Sequence, residues 1–353
     1  MEKEAVGRRE ALAKDILILS RNTLLVNLRF LDLALSCFAL VPVPPLNPLL
    51  LESVAVDGAH MVFHKLLKEQ SAVLDEIVQI CDREEVELVL IAGDIFDTYL
   101  PSAEAEDLFF TKIKAIAGKE RAVVLIGNHD DGVRLSASAP LSEELGIYIV
   151  GNSRREIPLT SHRKVRPVRA GKGFAVFENE RGERVFINAL PYPNEARFKE
   201  EKSDLPFSER MKKWIDEGEE GNTEHLPSVF LSHIFVAGGV TSESEREIDL
   251  GGARAVPLEV LPKCDYIALG HLHKRQHMGK GNCYYSGSPL QYSFDEANGE
   301  KGVKIFDLTE KGVENLRDVF LMSGRKLVRL EADSPARAEE LLSLYPESLA
   351  EVR

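Results

Sequence analysis

Residues able to bind metal ions occur in four short clusters, each directly after an apolar run. The clusters are Gly93-Asp94-Ile95-Phe96-Asp97, Gly127-Asn128-His129-Asp130, Leu231-Ser232-His233 and Gly270-His271-Leu272-His273. In open α/β sheets the ligand crevice lies beyond the carboxyl ends of the strands. We therefore expect the four clusters to meet at one rim of the fold. Their mixture of carboxylate, amide and imidazole groups suits Mn²⁺, Fe²⁺ or Zn²⁺ better than Mg²⁺ or Ca²⁺, which prefer oxygen ligands throughout.

The side chains of the first two clusters have distinct chemical abilities. Asp94 follows its apolar run closely, and the two oxygens of one carboxylate can bridge two cations. The Asn128 carbonyl is a hard oxygen ligand, and the adjacent His129 can donate a proton. Asp97 is placed to orient a histidine ligand. The alternative is a turn with capping aspartates, followed by a loop histidine that has no role.

The remaining histidines are ambiguous when each is considered alone. His233 by itself is more typical of a hydrogen-bonded structural histidine. His271 and His273 would point to opposite sides of an extended strand, but on a loop they can reach two neighbouring cations. Because Lys274 and Arg275 follow, the alternative here is a solvated basic loop.

Together the clusters indicate hydrolytic attack on phosphorus. Two cations about 3.5–4 Å apart can clamp a phosphate group and activate a water molecule. His129 would then protonate the leaving alkoxide or stabilise the charge that develops on it. The candidate metal ligands are Asp94, Asn128, His233, His271 and His273.

The apolar pattern around these clusters predicts an α/β fold. Helical spacing runs from Leu66 to Cys81, and a second helix fits Ala103 to Ala117. Strands buried on both faces are predicted at Leu88 to Ala92, Ala122 to Ile126 and Ile147 to Val150. Further strands are predicted at Phe174 to Phe177, Val185 to Leu190, Val229 to Leu231, Tyr266 to Leu269, Tyr284-Tyr285, Val303 to Phe306 and Lys326 to Leu330. Alternating strands and helices indicate a layer with parallel strands, and Ser334-Pro335 opens a last helix.

Composition limits the class of protein. With 44% apolar and 29% charged residues over 353 positions, the chain is typical of a soluble globular enzyme. Its four cysteines form no CxxC pair, which argues against a zinc knuckle and fits a reducing cytoplasm. The run from Leu33 to Leu51 contains four prolines and is predicted not to span a membrane. A net charge of −13 argues against a surface that binds nucleic acid all over, but bound cations would still permit a metal-dependent nuclease.

One segment of the chain is locally basic. It contains Arg154, Arg155, Arg163, Lys164, Arg166, Arg169 and Lys172, opposed only by Glu156. Such a cluster can contact DNA phosphates and would make binding salt-dependent. The alternative is a solvated hairpin with no nucleic-acid contact.

In this order the clusters resemble those of the calcineurin-like metallophosphoesterases, and within them those of the SbcD-type nuclease subunits. The closer match rests on Ile91-Ala-Gly-Asp-Ile-Phe-Asp97, on Ile126-Gly-Asn-His-Asp130, and on Tyr285-Ser-Gly-Ser-Pro-Leu-Gln-Tyr-Ser-Phe-Asp-Glu-Ala-Asn298 with Glu300-Lys-Gly-Val303. The resemblance covers roughly residues 57 to 330. It implies an α/β fold in which a calcineurin-like β-sandwich is flanked by helices and followed by a small, partial α+β cap.

The resemblance also implies roles and partners. Asp94 would be the bridging ligand, with Asn128, His233 and His271 on one metal and His273 on the other. Two Mn²⁺ ions would support exonuclease and endonuclease action on DNA in repair and recombination. An SbcC-type ATPase would be the partner, with this chain as a homodimer within a heterotetramer in the cytoplasm.

The beginning of the chain departs from the family pattern. The family has an Asp-x-His motif well before the aspartate of its GD motif, and no such motif occurs at that place here. Asp57 and His60 lie at nearly the right distance from Asp94, but two residues separate them instead of one. Either Asp57 and His60 substitute in a distorted loop, or residues 1–55 are a misread N-terminus, or the first metal site is damaged. Ile16 to Ser20 would be the expected first strand.

We expect three regions and keep two other functions open. Residues 1–55 would be an atypical, mistranslated or poorly ordered extension, residues 56–310 a metallophosphoesterase domain, and residues 311–353 a partial capping domain that is truncated at Arg353. One alternative function is a small-molecule phosphodiesterase or phosphatase with the same metal centre. The other is a catalytically impaired protein that binds DNA ends or the ATPase.

Overall fold

The described residues fold as two large β-sheets flanked by helices, with a small third sheet. In this computed structural model they are residues 28–33, 67–96, 101–126, 136–152, 155–193, 205–244, 255–297, 299–345 and 348–352. Apolar side chains of the two large sheets share one buried cluster, so the sheets pack face to face. This arrangement confirms the predicted fold class, a β-sandwich flanked by helices.

The first sheet contains the parallel layer that the alternating pattern predicted. Its strands are β1 (Leu28–Leu33), β2 (Leu88–Ile91), β3 (Ala122–Ile126), β4 (Ile147–Val150), β12 (Gly302–Thr309) and β13 (Gly312–Phe320). They lie in the order β13-β12-β1-β2-β3-β4. Strands β1 to β4 are parallel, whereas β12 is antiparallel to both β1 and β13.

The second sheet has seven strands. They are β5 (Arg166–Gly171), β6 (Phe174–Glu178), β7 (Arg184–Leu190), β8 (Ser228–His233), β9 (Tyr266–Gly270), β10 (Gln276–His277) and β11 (Cys283–Tyr285). The order is β10-β11-β9-β8-β7-β6-β5, in which β7, β8, β9 and β11 are parallel neighbours. The predicted hairpin is β6 and β7, which pair antiparallel.

Strands β2, β3 and β4 of the first sheet are buried on both faces, which explains their continuous apolar runs. Leu88 and Leu90 of β2 point into the sandwich, whereas Val89 and Ile91 join the cluster that the helices cover. Those helices are α1, over residues 67–83, and α2 (Ala103–Ala117). Helix α2 starts where Ser102 Oγ accepts a hydrogen bond from Ala105 N at 3.2 Å, a typical N-cap.

The second sheet is covered on its outer face by a helix that was not predicted from the sequence. This helix, α4 (Phe207–Glu219), follows the short helix α3 (Ala139–Glu144) in chain order. Its buried side chains Trp214 and Ile215 pack in one cluster with Phe230 of β8. Among the helices of the described residues, none is long and apolar enough to cross a membrane.

The first strand differs from the one predicted. Strand β1 lies at Leu28–Leu33, between β12 and β2 in the sheet, whereas the predicted strand from Ile16 to Ser20 lies outside the described residues. Leu33 is in register with Ile91, so β1 ends level with β2. In the sequence, β1 continues as Ala34-Leu35-Ser36, which offers no Asp-x-His motif.

A small strand–helix–strand unit ends the described chain. It consists of β14 (Leu327–Leu330), α5 (Pro335–Ser343) and β15 (Leu349–Val352), with the two strands parallel. Helix α5 starts as predicted, because Ser334 Oγ accepts a hydrogen bond from Arg337 N at 3.3 Å. The division at residues 55 and 310 stays a prediction, and strand pairing crosses both limits: β1 precedes the first, and the β12–β13 hairpin spans the second.

The contact between the sheets can be tested at Phe306, whose ring stacks on Tyr266 of the opposite sheet with centroids 4.1 Å apart. Phe306→Ala leaves a cavity in a fully buried core, so we expect the free energy of unfolding to fall by about 3–5 kcal/mol. Urea unfolding followed by the fluorescence of Trp214, the one tryptophan of the chain, measures this. Leu141→Ala is the control, because this side chain is 78% exposed and should change stability by less than about 0.5 kcal/mol. Equal losses in the two variants would contradict the face-to-face core.

Candidate metal centre

Three of the predicted ligands converge where strands of the two sheets end. Asp94 follows β2, His233 is the last residue of β8, and His271 follows β9. Their side chains are buried, and one ligand atom from each lies within 4.8 Å of the other two. The His233 Nε2 atom is 3.4 Å from Asp94 Oδ1. This spacing is of the size expected for ligands of one cation, each about 2.0–2.2 Å from the ion.

The hydrogen bond of His233 determines which of its nitrogens faces Asp94. His233 Nδ1 lies 2.6 Å from the Ala92 carbonyl oxygen. A carbonyl can only accept, so Nδ1 carries the proton and the neutral ring presents the lone pair of Nε2 to the carboxylate. Two buried acceptors at 3.4 Å repel each other unless a cation or a proton lies between them. The residues present therefore fit a divalent cation.

Two glycines allow the loops of the centre to come this close. A Cβ atom on Gly93 would lie 2.4 Å from His233 Nδ1, and one on Gly270 would lie 1.7 Å from the Ala92 carbonyl oxygen. Both distances are far below van der Waals contact. Packing thus requires the glycine of the GD motif where the β2 loop meets the end of β8, and the glycine of the GH motif where the end of β9 meets the end of β2.

The backbone at two candidate ligands is strained. Asp94 has φ +53° and His271 has φ +110°, both in the region that favours glycine. Such conformations are disfavoured by on the order of 1–3 kcal/mol each and persist where the surroundings enforce them. Here the enforced backbone directs both side chains into the same buried space.

His273, two residues after His271 in the chain, is not part of this group and is held by a different set of residues. Its ring is buried, and Nδ1 contacts Ser244 Oγ and lies 3.6 Å from Glu296 Oε1. The alternative of a solvated basic loop is wrong, because His271 and His273 are 4% and 1% exposed. The role of His273 as a metal ligand stays a prediction.

The residues that surround His273 were missed at the level of the sequence. Glu296 is buried, and it is paired with Lys301 at 2.5 Å. Burial alone would raise the pKa of this carboxyl, but the hydrogen bond with His273 and the charge of Lys301 outweigh that effect and hold the pKa well below its usual range. Both residues belong to the stretch that carried the closer family resemblance, which was the available signal.

Other predicted site residues lie outside the described residues. These are Asp97, Asn128 and His129, together with Asp57 and His60. Their roles therefore remain predictions. Asn128 and His129 follow β3, which lies next to β2 in the first sheet.

The structure favours the second interpretation of the basic segment, a solvated hairpin. Four of its seven cations pair with carboxylates of other elements: Arg155 with Glu143 at 2.5 Å, Lys164 with Glu120 at 2.7 Å, Arg166 with Glu178 at 2.8 Å and Arg169 with Glu224 at 3.2 Å. Arg163 donates instead to the Arg121 carbonyl oxygen at 2.9 Å. These pairs largely neutralise the segment, so its run of positive residues overstates the charge available to a phosphate.

A family model described as calcineurin-like phosphoesterase matches residues 63–275. This region contains Asp94, His233 and His271, which we call the cation group. The chain belongs to this family. It is therefore a metal-dependent hydrolase of phosphate esters, and the recognition of its family from the four clusters is confirmed.

Several relatives are named as the SbcD subunit of the nuclease SbcCD. The one from Bacillus subtilis (strain 168) is 39% identical over 279 residues, which cover 75% of this chain and 67% of that protein. The one from Rhodobacter capsulatus is 32% identical over 303 residues, or 78% of this chain and 69% of the relative. A relative from Staphylococcus epidermidis is 28% identical over 278 residues, or 76% of this chain and 68% of the relative. These matches agree with the SbcD-type resemblance.

The packing of the two loops provides a test of the centre. Gly270→Ala places a methyl group against the Ala92 carbonyl, so we expect it to push the ends of β2 and β9 apart. Mn²⁺ binding should weaken by about 10- to 100-fold, the loss typical when the groups that orient metal ligands are displaced. Isothermal titration calorimetry measures the affinity. The control is Gly182→Ala, at a turn with φ +79° and no atom within 4 Å of the added Cβ. This control should lower stability slightly and leave Mn²⁺ affinity unchanged; unchanged affinity in Gly270→Ala would contradict the packing argument.

Proposed function

We propose that this chain is the nuclease component of an SbcD-type complex and hydrolyses DNA phosphodiester bonds with two Mn²⁺ ions. The observation that carries the proposal is the buried group of Asp94, His233 and His271 at the meeting edge of the two sheets. Relatives named as SbcD subunits of the nuclease SbcCD support the substrate and the assembly. The partners would be DNA and an SbcC-type ATPase, with this chain as a homodimer in a cytoplasmic heterotetramer.

In this proposal each side chain has a defined task. Asp94, Asn128, His233 and His271 would hold one ion, while Asp94 and His273 would contribute to the other. Bound divalent cations supply Lewis-acid chemistry, in that they neutralise phosphate charge and lower the pKa of a water molecule. The Nδ1–H group of His233 donates a hydrogen bond to the Ala92 carbonyl oxygen, and this bond fixes the orientation of the ring. His129 gives a proton to the leaving alkoxide oxygen, and Asp97 orients a histidine ligand.

The same centre could serve a small phosphodiester, and one observation favours that second candidate. The acidic partners of Arg155, Lys164, Arg166 and Arg169 reduce the positive charge that the basic segment could offer to DNA. The SbcD-type relatives outweigh this argument, because their names state a nuclease activity.

His129 provides the direct test of the reaction. With Mn²⁺ and a linear DNA duplex, we expect the wild-type protein to release nucleotides, and His129→Ala to lower kcat by about 100- to 10,000-fold through loss of the proton donor. Mn²⁺ affinity should stay unchanged in this variant. His277→Ala, at an exposed histidine bound to the Gly281 carbonyl oxygen, should retain full activity. Wild-type protein that cleaves bis-p-nitrophenyl phosphate but no DNA would support the small-molecule alternative instead.

The number of bound ions tests whether the first metal site is intact. If Asp57 and His60 substitute for the absent motif, we expect two Mn²⁺ per chain by metal analysis, falling to one in the double variant Asp57→Asn/His60→Ala. His162→Ala, a surface histidine near Glu144, is the control and should keep both ions. A single ion in the wild-type chain would favour the third function, a catalytically impaired protein that binds DNA ends or the ATPase.

A further inference from the structure

A buried carboxylate, that of Glu296, faces the ring of His273. Glu296 is 2% exposed and faces His273 Nδ1 directly and through Ser244. We propose that Glu296 is a positioning residue, which fixes the tautomer and orientation of His273 so that Nε2 is the atom offered to a cation. The inference rests on the proposed role of His273 as a metal ligand.

The direction of the hydrogen bonds determines the tautomer. An ionised carboxylate can only accept, so the Ser244 hydroxyl, 2.5 Å from Glu296 Oε1, must donate to it. The Ser244 oxygen then accepts from His273, which it contacts at Nδ1. Nδ1 therefore carries the ring proton, and the lone pair is left on Nε2. The direct approach of Nδ1 to Glu296 Oε1, at 3.6 Å, requires the same tautomer.

Lys301 holds the carboxylate and the histidine backbone together. Its Nζ atom donates to Glu296 Oε2 at 2.5 Å, to the His273 carbonyl oxygen at 2.9 Å and to Ser288 Oγ at 2.6 Å. The ring and the backbone of His273 are thus fixed to one ion pair. A buried pair that served stability alone would have no need to contact the histidine at both places.

The two candidate histidines are oriented by acceptors of different charge. His233 Nδ1 donates to a neutral backbone carbonyl, whereas His273 Nδ1 faces an ionised carboxylate. A carboxylate behind an imidazole makes its other nitrogen a more basic ligand. We therefore expect the metal affinity of His273 to fall when the charge of Glu296 is removed, even if the shape of the side chain is kept.

The stretch that distinguishes the closer relatives gains a physical role from these contacts. Ser288, Glu296 and Lys301 all lie within Tyr285 to Val303, and all three contact one another or His273. Gly287 permits this approach, because a Cβ atom there would lie 2.7 Å from the His273 carbonyl oxygen. The stretch therefore acts as the support of the loop that carries His271 and His273.

Glu296→Gln in the full chain tests the proposal, because it keeps the shape and removes the charge. The tautomer is read from ¹⁵N NMR of protein labelled at histidine, and Mn²⁺ affinity from titration calorimetry. We expect His273 to shift toward the Nε2–H form and Mn²⁺ affinity to fall by about 10- to 100-fold. The His233 signals should stay unchanged, since its partner is the Ala92 carbonyl.

Asp295→Asn is the matched control. Asp295 is the preceding residue and pairs with Lys274 at 2.8 Å, away from His273 Nδ1, so its loss should leave tautomer and affinity unchanged. If Glu296→Gln does not fold, Ser244→Ala provides a second test. It removes the hydroxyl that lies between His273 and Glu296 but keeps the Glu296–Lys301 pair, and we expect a several-fold loss of Mn²⁺ affinity.

A folded Glu296→Gln protein with an unshifted His273 tautomer and wild-type Mn²⁺ affinity would overturn the inference, as would unchanged values in Ser244→Ala. Neither measurement involves DNA. A wild-type chain that cleaves no DNA would thus count against the proposed function, while the effect of Glu296 on His273 would still be read.

Discussion

The hydrogen bond from His233 to the Ala92 carbonyl joins the two sheets at the edge where the metal centre lies. Ala92 continues β2 of the first sheet, and His233 ends β8 of the second. The two atoms are 2.6 Å apart, and this close approach leaves no space for a side chain at the positions of Gly93 and Gly270. The same contact therefore holds the edge of the sandwich closed and keeps Asp94 and His233 close together. The strain at Asp94 and His271 is sustained by the same packing, because neither loop can relax without opening the edge.

The location of the candidate ligands could be predicted because buried strands have a recognisable sequence pattern. Strands β2, β3 and β4 are buried on both faces, so their apolar runs are continuous and their ends are clear. Polar residues directly after such runs must lie at the strand ends. Helix α4 carries a weaker mark. Its Met211, Trp214 and Ile215 have helical spacing, but charged residues dominate around them, and the short buried face was overlooked.

The sequence did not predict which residues from distant parts of the chain would contact the candidate ligands. The type of His273 suggested a ligand, but its orientation depends on Ser244 and Glu296, which lie on other loops. The basic segment shows the same limit in reverse. Its arginines and lysines are visible as a run, whereas the carboxylates that pair with them, Glu120, Glu143 and Glu224, come from separate elements. Pairing of this kind is a property of the fold and leaves no local pattern.

The charge of the chain has a consequence for how DNA would reach this centre. The net charge is −13, and four cations of the basic segment are already paired with carboxylates, so the described part of this segment offers little positive potential to DNA. The cation group is moreover built around a buried carboxylate, Asp94. A polyanionic substrate would therefore be repelled from the apo centre and attracted only after divalent ions reverse its local charge. On this argument metal binding precedes productive DNA binding, and a general basic surface is not the source of selectivity among phosphodiesters.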